Sequence, residues 1–183
     1  MTPTPKDPRP AARVALGLII TGALLRLIPH PPNVAPVGAM SLFAGARLNG
    51  WQAYLVPLML MLITDPILGA IHGFSPFARR TFFIYGSFMI SVWIGRHLRD
   101  TDSPLRIGGA AFLCALQFYL ITNIPSWLSN MYTHDLAGLI TCYIAALPFF
   151  GLTLLGNLLY SGLFFGSHAW LTRRSAATVT IRP

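Results

Sequence analysis

From Trp51 to Ile71 the chain runs through WQAYLVPLMLMLITDPILGAI with a single charged side chain, Asp65. About 20 helical residues cross the hydrocarbon core of a bilayer. A run of that length either faces lipid or is buried on every side. Comparable runs extend from about Ala12 to Ile28, Thr81 to His97, Ile107 to Ile124 and Leu152 to Leu171. With 54% hydrophobic and only 10% charged residues, the chain lacks the charge to clothe a water-facing surface. An all-α polytopic membrane protein is expected.

A second feature shapes the stretch RLIPHPPNVAPVGAMSLFAGA, Arg26 to Ala46. Pro29, Pro31 and Pro32 each fix φ and remove an N–H, so they end the first helix and stiffen the connector after it. Such a connector would hold His30 and Asn33 in place over a pocket. Small residues follow, and a short second span is expected from about Ala35 to Arg47, tilted among its neighbours or not fully crossing. Beyond Leu136 the apolar sequence is too long for one crossing. Pro148 and Gly151 are expected to divide it into a short helix, about Leu136 to Leu147, and the last span. The fold expected is therefore six transmembrane helices, with a short extra helix in the loop before the sixth. They form one membrane domain over residues 11–172, between a disordered cytoplasmic tail at 1–10 and a second tail at 173–183.

Basic residues test that topology. With the N-terminus inside, ten of the thirteen Lys and Arg fall on cytoplasmic segments, leaving Arg26, Arg79 and Arg80 outside. A cytoplasmic membrane with both termini inside is the expected location. The formal net charge of +8 follows from this placement rather than from a nucleic-acid surface, because the cations sit at the ends of apolar runs. Cys114 and Cys142 stand alone within apolar runs, which suits core packing rather than a disulfide or zinc site.

Asp65 is the costliest residue to place. Intramembrane carboxylates face protein or a watery cavity and have partners. Asp65 lies about 20 Å along its helix from Gln52, near the outer end. Arg26 also lies near the outer end of its own span, so the two match in depth and an ion pair is expected. The same end gathers His30, Asn33, His72 and the segment NIPSWLSNMYTHD with Asn123, Trp127, Met131, Tyr132 and His134. With Met40, Asp65 and Tyr85, these are the candidate substrate-binding residues, a mixture of rings and amides suited to a ligand that is part ring and part polar. Trp127 and Tyr132 would equally serve an interfacial aromatic belt. Asn157, Ser161 and His168 share one helical stripe and are assigned to helix packing. Ala11 and Ala15 form a small-xxx-small pair that permits close helix approach. No Walker, HExxH or GxSxG motif occurs, the chain has no glutamate, and its five histidines form no HxxxH pair.

RLIPHPPNVAPVGAMSLFAGA, FYLITNIPSWLSNMYTHDLAGLITCYIAALPFF and LLGNLLYSGLFFG resemble a family of small bacterial membrane proteins classed as transport proteins, similar to the substrate-binding S components of energy-coupling-factor (ECF) vitamin transporters. The resemblance implies a six-helix fold holding a vitamin-sized ligand near the outer face. It also implies a coupling subunit with ATPases as partners, contacted through Ala11 and Ala15. Solitary cobalamin S components of the BtuM type belong to the same resemblance. They hold cobalt between a histidine and a cysteine, a role His30 would fill, although Phe77 to Tyr85 contains no cysteine. Cobalamin is accordingly the leading substrate, bound rather than resident as a cofactor. Two other classes stay open: an intramembrane enzyme using Asp65 with His30 or His72 as an acid and base pair, and a structural or assembly subunit.

Overall fold

The computed structural model describes residues 9–73, 75–99 and 101–179, with side chains over 11–73, 75–99 and 101–174. Among these residues the chain is helical without strands. The elements are α1 (Arg9–Leu25), α2 (Val37–Arg47), α3 (Gln52–His72), α4 (Arg79–Arg96), α5 (Pro104–Thr122), α6 (Ile124–Trp127) and α7 (Leu136–Val179).

At the centre stands α2. Every residue from Val37 to Ala46 is buried, as befits a helix of small and apolar side chains with no polar face to present to water. At 1.5 Å per residue its 11 residues reach about 16 Å, roughly half the hydrocarbon thickness. It is thus an enclosed core helix, and the second span does not cross by itself. The tightest crossing is between α2 and α4. A Cβ on Gly95 would overlap the carbonyl oxygen of Leu42, and one on Gly45 would overlap that of Val92. The spacing Ser87, Ser91, Gly95 on α4 is the small-xxx-small pattern that lets two backbones touch. Phe43 extends from α2 to the rings of Phe164 and Phe165 on α7, at centroid distances of 5.8 and 5.1 Å.

One end of the bundle is tied by arginines. Arg47, at the C-terminus of α2, donates to the carbonyls of Leu98, Arg99 and Thr101 at 3.1–3.2 Å and pairs with Asp102. Arg99 returns a bond to the Leu48 carbonyl at 2.8 Å. Cations here meet the carbonyls left unpaired at helix C-termini.

One expectation needs correction at α7. The helix is continuous from Leu136 to Val179, so the separate short helix over Leu136 to Leu147 does not exist. Pro148 lies inside it, on the exposed outer side. Contacts with α5 hold both halves in line: Tyr119 donates to the Tyr143 carbonyl at 2.6 Å, and Phe112 and Tyr119 flank Phe150. Helix-interior proline is tolerated where neighbouring helices fix the geometry. Residues 173–179, in the expected C-terminal tail, are helical and extend α7, whereas 180–183 and the tail residues 1–8 lie outside the described residues.

Among the described residues, three helices are long and apolar enough to cross a membrane: Gln52–His72, the α5–α6 unit Pro104–Trp127, and Leu136–Arg174. The shorter Ala11–Leu25 is apolar as well. Their outward faces agree with that capacity. Along α3, Leu55, Met59, Ile63, Ile67 and Ile71 recur every fourth residue and are all exposed. On α7 exposed apolar side chains continue from Leu136 to Trp170. A water-soluble monomer does not carry apolar stripes of this length uncovered.

Candidate functional site

The N-terminus of α2 ends inside the bundle, where α4, α5 and α7 diverge around it and leave a cavity of about 220 Å³. Its floor is the first turn of α2, at Val37 and Gly38. Phe88 of α4 and Phe118 of α5, stacked with centroids 5.2 Å apart, supply a flat apolar wall. Polar groups enter from three helices: Ser91 from α4, Cys114 from α5, Thr153 and Asn157 from α7. Asn33 closes the connector side, with φ of +66°. That left-handed backbone is several-fold enriched in asparagine, and it turns the chain between the proline run and α2.

Gly38 is required where it stands. A Cβ there would overlap Oδ1 of Asn157, which is only 3% exposed. The amide's Nδ2 donates to the Ala111 carbonyl at 3.4 Å, and this fixes which end of Asn157 faces α2.

Beside the cavity, Arg26 pairs with Asp65 and donates to Thr64 Oγ1 at 2.7 Å. Tyr85 donates to the other carboxylate oxygen at 2.6 Å. Thr64 in turn donates to the Leu60 carbonyl at 2.9 Å. This cluster joins the end of α1 to α3 and α4. Arg26 also reaches the cavity wall, whereas Asp65 and Tyr85 stand behind it.

The remaining candidates disperse. His30 is half-buried with Nδ1 against the Ile28 carbonyl at 2.8 Å, outside the cavity lining. Met40 is packed in the core. His72 is exposed at the end of α3. The loop after α5 closes on itself: Asn123 donates to the Tyr119 carbonyl at 2.7 Å, Trp127 donates to the Thr133 carbonyl at 3.1 Å, and the His134 ring lies edge-on to Trp127. Met131 is 78% exposed and Tyr132 half-buried. Of the candidate substrate-binding residues, then, Asn33 alone lines the cavity. Ala15 is fully buried in the core and the Ala11 carbonyl lies 3.3 Å from His168 Nε2, so the alanine pair faces the chain's own α7 side. Among the described residues no three His, Cys, Asp or Glu side chains cluster as metal ligands.

Sequence reasoning missed Ser91, Cys114, Phe88, Phe118 and Thr153 as lining residues, and placed Asn157 in packing alone. A signal for Asn157 existed in its position on the inward stripe with Ser161 and His168, all three of which are buried. The wall residues carry no comparable mark, since a phenylalanine facing a cavity and one facing lipid look alike in a sequence.

These features define an all-helical protein with membrane-spanning capacity and a mixed polar and aromatic cavity at the N-terminus of a buried half-length helix. The chain belongs to a family of unknown function, DUF6580, whose model matches residues 6–179. No curated protein and no solved structure matches it.

Proposed function

We propose that this protein is a membrane-embedded binding subunit, or a solitary transporter, for a vitamin-like small molecule held in the cavity at the head of α2. The observation that carries the reading is the cavity itself, in which polar groups from three helices and the connector before α2 meet a stacked aromatic wall inside a bundle whose outer faces are apolar. Such a mixture suits orientation by a few polar groups and affinity from rings. The resemblance to ECF S components rests on the sequence segments quoted for it.

The volume favours the smaller members of the class. Pockets for drug-sized ligands run to about 300–1,000 Å³, so thiamine- or biotin-sized molecules come nearer to 220 Å³ than cobalamin does. Cobalamin would require the connector Leu27–Ala35 to open, and His30 to coordinate through Nε2. Orientation with both termini cytoplasmic in a bacterial inner membrane, and coupling to a partner ATPase module, belong to the same proposal.

Titration of the purified protein with thiamine, biotin, riboflavin and cobalamin tests it. Saturable binding to at least one is expected. Thr153→Phe, which fills the cavity from its wall, should weaken that binding at least tenfold without lowering the unfolding midpoint. Absence of saturable binding to every member of the panel overturns the reading.

A further inference from the structure

The first turn of α2 is buried, yet its N–H groups lack acceptors. Pro36 precedes it without a side-chain cap, and the first bond of the helix is Met40 N–H to the Pro36 carbonyl at 2.8 Å. Among the described residues nothing accepts from the N–H of Val37, Gly38 or Ala39. A helix start normally finds partners for these donors in caps, water or ligand. They carry the positive end of the helix dipole, which favours an anion. Arg26 at the cavity wall is already neutralised by Asp65, so the helix start is the positive feature left uncompensated.

An independent observation lies opposite. The Asn157 side chain is 97% buried and lines the cavity, but only its Nδ2 is bonded, weakly, to Ala111. That bond orients Oδ1 toward the first turn of α2, and no donor among the described residues reaches it. An amide oxygen that opens on the cavity with no protein donor is free to accept an N–H or O–H from a ligand.

We infer that the cavity takes a small organic acid: its carboxylate sits on the N–H groups of Val37 and Gly38, a donor adjacent to the acid bonds Asn157 Oδ1, and a planar apolar body lies against Phe88 and Phe118. This rests on the binding role proposed above and names the ligand class for that site. The selectivity comes from backbone donors and one amide, with Arg26 held in place by Asp65 rather than freed to meet the ligand.

The test uses matched acids and amides on the purified full-length protein: benzoate with benzamide, anthranilate with anthranilamide, and phenylalanine with phenylalaninamide. At least one acid should bind saturably and at least tenfold more tightly than its amide. Anthranilate, which carries a donor beside the acid, should exceed benzoate severalfold. Asn157→Asp places a carboxylate beside the helix start and should weaken acid binding at least tenfold. If an amide binds as well as its acid, or a neutral ligand binds while no acid does, the acid assignment falls and the binding role stands. If nothing in either panel binds, both fall. The acid-to-amide ratio on the native protein decides the matter even where Asn157→Asp does not fold.

Discussion

Asp65 and Arg26 lie 39 positions apart in the sequence and form a pair that is only 8% and 16% exposed at the side chains. Breaking one member of such a pair strands the other, at a cost of about 3–5 kcal/mol. Asp65→Asn should therefore lower the midpoint of detergent-induced unfolding sharply. Arg26→Met with Asp65→Leu together should recover much of the loss, and a single mutant as stable as the native protein would contradict the clamp. At the start of α7 a different carboxylate acts in the open. Asp135 accepts from the Gly138 N–H and from the Thr133 hydroxyl, both at 2.7 Å, and these bonds, the backbone one first, hold its pKa below the usual carboxylate range. The sign follows from the depression: the cap contributes fully above the ordinary carboxylate pKa and is lost as pH falls through the lowered value. Amide-exchange protection at Gly138 should drop in acid. Asp135→Asn, which still caps, should remove that pH dependence.

Helix α2 and helix α4 meet backbone to backbone, and this contact sets where the cavity can be. Gly95→Ala drives a methyl group into the Leu42 carbonyl, a clash between two backbones that no rotamer relieves. A loss of about 3 kcal/mol, the upper end of ordinary overpacking, is expected in unfolding experiments. Gly108→Ala on α5 is the control, because its methyl meets nothing within 4 Å. It should be neutral or stabilising by up to about 1 kcal/mol, given the higher helix propensity of alanine. Equal effects of the two substitutions would show that the crossing does not depend on glycine.

Across the whole molecule, core and exterior are both apolar and differ in side-chain size. Small residues concentrate inward on α2 and α4, and the larger aliphatic side chains of α3 and α7 point outward. Ile63, 61% exposed in mid-α3, belongs to that outer stripe. Ile63→Lys should impair membrane integration, since a lysine at the centre of a spanning helix costs about 2.5–3.5 kcal/mol. The check is the fraction of protein resisting carbonate extraction. A fully integrated variant would place this face away from lipid.

The helices were legible because apolar runs and proline breaks are local: α3, α4 and α5 begin and end within about three residues of the boundaries their sequence suggests. Arg26 and Asp65 could be matched by depth, because an ion in an apolar run has few places to go. The continuity of α7 was not legible, since Pro148 is a break signal locally and only packing against α5 overrules it. Nor was the cavity, whose walls come from three helices and a connector and whose floor is a helix end. The sequence by itself determined which segments leave water and which side chains need partners. Tertiary structure alone decided that a short helix is enclosed, that its N–H groups open onto a chamber, and that Asn157 faces them, because each is a relation between segments with no local signature.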